Sequence, residues 1–185
     1  PGGFEPVLHL RTYYLDQESL TGVPSEAWAL GGWAGLRSPW WGDVFQVGFV
    51  GYTSQKLYGP NDKDGTRLLR PGQEQITVLG EAFGAVRILG QTLTGYRQLV
   101  NRPFINPRDN RMVPQTFEAY TLTGAAKDVS YTGGYITKVK LRESDSFTWM
   151  SNTAGGTGSQ KGVIYAGGTW DFVKNGYVKM DDQYG

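Results

Sequence analysis

The sequence contains no cysteine. Disulfides, thiolate metal centres and cysteine nucleophiles are therefore excluded. Histidine is nearly as scarce: His9 stands alone, which argues against a multi-histidine zinc site and leaves neither a metal centre nor a cofactor to expect. No stretch of about 18 apolar residues occurs, so no transmembrane helix is expected. The start, Pro1-Gly2-Gly3, lacks the charged segment and apolar run of a secretory leader. An excess of one charge sign is missing too. The formal net charge is +1, which speaks against a nucleic-acid partner. No acid–base carboxylate pair or activated serine emerges around Asp145, Asp171, Asp181, Ser25, Ser38 or Ser54, so no enzyme is expected.

Glycine and aromatic residues are abundant instead. Glycine accounts for 27 of the 185 residues, with six tryptophans and eleven tyrosines. A usual glycine share is roughly 7%. This mixture suits an all-β chain whose sheet must bend, above all a barrel.

The dominant period along the chain is two, the period of a strand with unlike faces. Leu8, Leu10, Thr12 and Tyr14 fall on one face, with His9, Arg11 and Tyr13 opposite. Trp28, Leu30, Ala34 and Leu36 share a face. Phe45, Val47 and Phe49 oppose Gln46, Gly48 and Val50. Ile76, Val78, Ala82, Val86 and Ile88 are expected on one face, with Thr77, Glu81 and Arg87 on the other. About nine strands result, the last over Tyr177–Met180 after a hairpin turn at 173–176.

Connections alternate in length. Short turns are expected near 39–43, 89–91, 125–128 and 173–176. Long polar loops are expected near 17–25, 55–74, 99–115 and 143–160. Short turns at one end and long loops at the other is the layout of an outer-membrane barrel. Aromatics near strand ends (Tyr13, Tyr14, Trp28, Trp40, Trp41, Tyr52, Trp170) fit interfacial girdles, and the apolar strand faces carry few charges at mid-strand. The alternative is a soluble β-sandwich that binds carbohydrate through exposed aromatics. Gly59-Pro60-Asn61-Asp62-Lys63-Asp64-Gly65 lacks the closing glutamate of a calcium loop, and Gly155-Gly156-Thr157-Gly158 lacks the lysine of a phosphate loop.

Five segments resemble the OprD family of substrate-specific, carboxylate-selective porins. They are HLRTYYLD (9–16), SEAWALGGWAGLRSPWWGDVFQVGFVGYTSQKLYG (25–59), DNRMVPQTFEAYTLTG (109–124), VSYTGGYITKVKLRES (129–144) and VIYAGGTWDF (163–172). The resemblance implies an all-β, transmembrane antiparallel barrel of about 18 strands in the cell outer membrane. It also implies a third long loop folded into the lumen, and passive diffusion of small carboxylate-bearing solutes: amino acids, peptides, aromatic acids. Nine strands are half of that, so residues 1–185 form a single barrel domain or the N-terminal half of one. Outer-membrane lipid, lipopolysaccharide and small anionic solutes are the implied partners, with the protein a monomer or a trimer.

The implied substrate-binding, pore-lining cations are Arg11, Arg87, Arg97, Arg102, Arg108 and Arg111. Arg11 falls at the family's first-strand arginine; the others follow from strand phase or loop membership. A guanidinium holds both oxygens of a carboxylate at once. The implied constriction loop contains Pro103, Pro107, Asp109, Pro114 and Gln115. Its prolines fix backbone angles and lower the entropy cost of holding one shape.

Overall fold

The computed structural model describes all residues except 1, 21, 157, 174, 175 and 185. The chain forms one antiparallel sheet. Its strands are β1 (Glu5–Glu18), β2 (Pro24–Arg37), β3 (Phe45–Tyr58), β4 (Ile76–Ile88), β5 (Gln91–Gln98), β6 (Thr116–Ala126), β7 (Val129–Lys140), β8 (Phe147–Trp149), β9 (Val163–Val173) and β10 (Gly176–Tyr184). The main path is β1-β2-β3-β4-β5-β6-β7-β9-β10, and the short β8 pairs beside it with β7. A sandwich needs two packed sheets, so a single sheet removes the soluble carbohydrate-binding alternative.

The expected long connections are present, with one exception. β1 runs to Glu18 and β2 begins at Pro24, which leaves a tight link where a long loop was expected. β5 ends at Gln98 and β6 begins at Thr116, so the third connection covers 99–115. The fourth contains β8 and a single helical turn, α1 (Met150–Thr153). At the other end Leu89 and Gly90 both have positive φ, 50° and 77°, the geometry of a two-residue hairpin turn. Lys127 and Asp128 form an equally short link between β6 and β7. The turn expected at 173–176 falls partly outside the described residues. The final strand reaches Tyr184 rather than stopping at Met180.

One face of the sheet is apolar and open: Leu8, Leu10, Trp28, Leu30, Leu36, Phe49, Leu93 and Tyr120 are all exposed. The loops lie on the opposite face, called inward here. The β4 pattern needs a correction. Val50 pairs with Glu81 but Gly51 pairs with Leu79, so Gly80 is an extra residue in a bulge. A bulge shifts the phase by one. Ile76, opposite buried Ser54, and Val78, opposite buried Tyr52, therefore face inward, while Ala82, Val86 and Ile88 stay outward. Only glycine suits position 80, because a Cβ there would lie 2.7 Å from the Tyr52 ring. Tyr52 is likewise no girdle residue. It is 1% exposed and donates to Glu81 Oε1 at 2.7 Å.

Two apolar clusters form where loops meet the inward wall. Ala27, Ala29, Val50, Tyr52 and Ile76 of the sheet bury Leu68 and Leu69 of the second long loop and Met112 and Val113 of the third. Val100 and Ile105 pack against Phe117, Ala119, Ile136, Val139 and Tyr165.

Every pairing along the nine-strand path is antiparallel. Its two edge strands, β1 and β10, thus run the same way. They present unpaired backbone groups, which a membrane does not tolerate. Nor can β1 pair antiparallel with β10 of an identically oriented copy. Closure of an antiparallel barrel requires an odd number of further strands between them.

Met112 is fully buried in the larger cluster. Met112→Ala should weaken loop docking by about 2–5 kcal/mol. Limited proteolysis checks this: cleavage within 99–115 should speed up while the strands stay protected.

Candidate functional site

Residues 99–115 lie across the inward face and are tied at both ends. Near β7, Arg102 donates from Nη2 to Thr132 Oγ1 at 2.9 Å. At β1, Arg11 donates from Nη1 to Asp109 Oδ1 at 2.8 Å and from Nη2 to Asp109 Oδ2 at 3.3 Å. The same Nη1 also donates to the Arg111 carbonyl. The base of the loop is closed by Gln115 N–H donating to the Pro107 carbonyl at 2.7 Å, and Arg102 N–H donates to the Ile105 carbonyl at 2.7 Å. Pro114 and Gln115 are buried, Pro107 is half-buried and Pro103 is exposed. The prolines thus bracket the segment that crosses the wall.

Arg11 itself is oriented by the strand. His9, two residues before it and on the same face, stacks on Trp33 with centroids 4.1 Å apart. Arg11 sits 5.3 Å from the centre of the same indole. A guanidinium held by an aromatic face on one side and a carboxylate on the other keeps few rotamers.

The expected arginines divide into groups. Arg11, Arg102, Arg108 and Arg111 come together around the loop. Arg111 donates from Nε to the Thr66 carbonyl at 3.0 Å, which ties the third long loop to the second. Arg108 has φ 45°, and its N–H donates to Asn106 Oδ1 at 3.1 Å. Arg87 faces inward but lies at the short-turn end, 2.6 Å from Asp43 and over the Trp40 ring at 4.0 Å. Glu81 serves Arg37 and Tyr52 rather than Arg87. Arg97 lies apart. It shares a strand face with exposed Leu93 and pairs with Glu118, which shares a face with exposed Tyr120 and also pairs with Lys138. Phe147 covers the Arg97 guanidinium at 4.2 Å.

Two further arginines join the loop cluster. Arg142, just after β7, donates to Asn110 Oδ1 and lies 3.7 Å from Glu143. Arg67 comes from the second long loop. Burial and the facing Arg111 charge, with Arg67 and Arg108 adding, push the Arg142 guanidinium below its ordinary value, while Glu143 acts against them. Four guanidinium groups therefore gather with little neutralisation. No period or local motif marked Arg67 or Arg142, because both lie in irregular backbone. A cavity of about 460 Å³ is lined by Arg67, Arg108 and Arg142, by the carboxylate of Glu143, and by the apolar Phe104, Phe117 and Met150. The second long loop is braced separately. Lys63 donates to Glu26 Oε2 at 2.7 Å, and that hydrogen bond holds its ammonium above the ordinary value.

A family model described as outer membrane porin, OprD family, matches residues 3–181. Solved structures agree in fold. OccK9 (OpdG) of Pseudomonas aeruginosa superposes with a TM-score of 0.81 at 21% identity, covering 95% of this chain and 48% of that one. OccAB3 of Acinetobacter baumannii gives 0.80 at 18%, with 95% and 48% covered. OpdK of Pseudomonas aeruginosa, solved with vanillate, gives 0.76 at 20%, with 95% and 46% covered. The chain thus spans about half the length of these proteins. No curated protein matches it.

Arg11 holds the loop through both a carboxylate and a carbonyl, whereas Asp109 contributes only the first. Arg11→Ala should therefore raise deuterium exchange across 108–111 more than Asp109→Ala does. The expected difference is a few-fold, the size of one charge-assisted hydrogen bond discounted for partial exposure.

Proposed function

The chain belongs to the OprD family of outer membrane porins, and from that premise we propose that it is one half of a channel for passive diffusion of small carboxylate-bearing solutes. Nine further strands, joining β10 back to β1, would complete an even-numbered barrel and satisfy both open edges. The inward face is then the lumen wall. The loop 99–115 is the constriction, held by Arg11, Arg102 and the buried Met112–Val113 pair.

The observation that carries this reading is the gathering of Arg67, Arg108, Arg111 and Arg142 beside a loop already fixed across the wall. Where a pore narrows, little water remains to screen charge, and a carboxylate gains from each cation it passes. Guanidinium forks offer two oxygens a matched pair of donors and hand them on without a deep trap. The apolar flank of Phe104, Phe117 and Met150 supports solutes with a ring or chain behind the carboxylate; the vanillate in OpdK is such a solute. Arg87 lies on the same inward wall at its short-turn end, where Asp43 balances its charge. Arg97, on the outer side, takes no part.

Reversal potentials of the closed barrel in planar bilayers test the proposal. Arg11→Ala combined with Arg111→Ala should lower the anion-to-cation permeability ratio by roughly threefold to tenfold, the size expected for charges in a partly hydrated passage. An unchanged ratio would remove Arg11 and Arg111 from the pathway.

A further inference from the structure

The outward wall carries a feature that channel function does not use. Across β1–β4 the residues align in rows. Leu8, Ala34, Gly51 and Leu79 form one row; Leu10, Gly32, Thr53 and Thr77 form the next; Thr12, Leu30 and Gln55 form a third. Leu8 and Leu10 stand up on β1, at 71% and 78% exposure, and Leu79 stands up on β4. Between them Gly32, Ala34 and Gly51 offer almost no side chain. The result is a valley along β2 and β3, about 710 Å³ in volume. Its ridges are three strand spacings apart, roughly 14 Å.

The upper end of the valley is polar. Gln55 Nε2 donates to Thr53 Oγ1 at 2.7 Å and to Thr77 Oγ1 at 3.3 Å. Both threonine hydroxyls donate in turn to the Ile76 carbonyl, at 3.1 and 2.8 Å. Every donor here is used, yet the amide oxygen Gln55 Oε1 accepts nothing among the described residues. A polar cluster on the apolar face costs free energy unless its remaining acceptor is met. Just above it Trp28 pairs with Tyr58, both exposed. Such aromatics sit at the membrane–water boundary, so Gln55 lies at the depth where lipid chains join their head groups.

We propose that this valley binds one acyl chain of a membrane lipid, whose hydroxyl near the head group donates to Gln55 Oε1. This rests on the outward face being the membrane-facing one, as proposed above. The valley is continuous with that face, so hydrocarbon reaches it without any opening. A second barrel is a poorer occupant. Two convex walls touch along their ridges, and Leu8, Leu10 and Leu79 would hold a neighbour off the glycine floor.

Gly51 allows a clean test. A Cβ there meets only the Ala34 carbonyl, at 3.8 Å, so Gly51→Leu fills the valley without disturbing the sheet. By contrast, a Cβ on Gly32 would lie 1.9 Å from the His9 carbonyl oxygen, at φ 132°. The closed barrel carrying this half is inserted into phosphatidylcholine vesicles. Half of the lipid has a hydroxyl on the acyl chain near the ester, and half is unsubstituted. Lipid retained on release into the gas phase is then counted by native mass spectrometry.

The unaltered protein should keep one lipid and favour the hydroxylated form by roughly fivefold to tenfold, the worth of one net hydrogen bond. Gly51→Leu should lose that lipid. Gln55→Leu should keep a lipid but lose the preference. Equal retention in Gly51→Leu, an unaltered preference in Gln55→Leu, or a second barrel retained in place of lipid would each overturn the proposal while leaving the channel reading intact. Failure to insert into the vesicles at all would overturn both.

Discussion

The structure depends on how an inward sheet face gets covered. In most β-proteins a second layer does this. Here two loops do it. Ala27 and Ala29 are small enough to leave room, and Leu68, Leu69, Met112 and Val113 fill that room against Val50, Tyr52 and Ile76. Without this burial a loop of the length of 99–115 would pay a large entropy cost to stay in one place. With it, the polar ties become specific rather than merely possible. Arg11 meets Asp109 and Arg111, and Arg102 meets Thr132, because the apolar segment between them is already seated.

The electrostatics follow from that seating. Arg67, Arg108, Arg111 and Arg142 come from three separate stretches of chain, and only the docked loops bring them together. Their carboxylate neighbours are few: Asp109 is occupied by Arg11, and Glu143 stands beside Arg142. Other cations along the wall are paired, Arg37 with Glu81, Arg87 with Asp43, and Arg97 and Lys138 with Glu118. Unpaired guanidinium charge is thus brought together where the two loops meet. The outward face is arranged on the opposite principle, with leucine and aromatic side chains around a polar recess at Gln55.

Much of the fold was legible because strands announce themselves by a period of two. The rows through Leu8 and Leu10, through Trp28, Leu30 and Leu36, and through Phe45 and Phe49 lie on the face expected of them. The third loop has the expected bounds, set by the prolines that cannot continue a strand. Failures came where one residue breaks the period. The bulge at Gly80 turned Ile76 and Val78 inward, and a local pattern does not reveal an extra residue whose partner is on another strand. Tyr52 looked interfacial from its position, yet the missing side chain at Gly80 lets its ring lie inside. β8 and α1 are too short to show any period. In the candidate site, the sequence pointed to Arg11 through resemblance and to Arg102, Arg108 and Arg111 through loop membership. Arg67 and Arg142 were not legible, since their proximity arises only from long-range packing of irregular segments.

The central claim is that the loop 99–115 is fixed against β1 in the working barrel. Residues 1–185 contain no cysteine, which makes a direct measurement possible: Arg11→Cys and Asp109→Cys supply the only two thiols of this half, any cysteine in the rest of the barrel is replaced by serine, and a thiol-reactive linker about as long as the lost ion pair is added to the barrel in a bilayer. The account predicts near-complete cross-linking with single-channel conductance almost unchanged, because the loop already occupies that position. Slow cross-linking, or a sharp fall in conductance once the link forms, would contradict it.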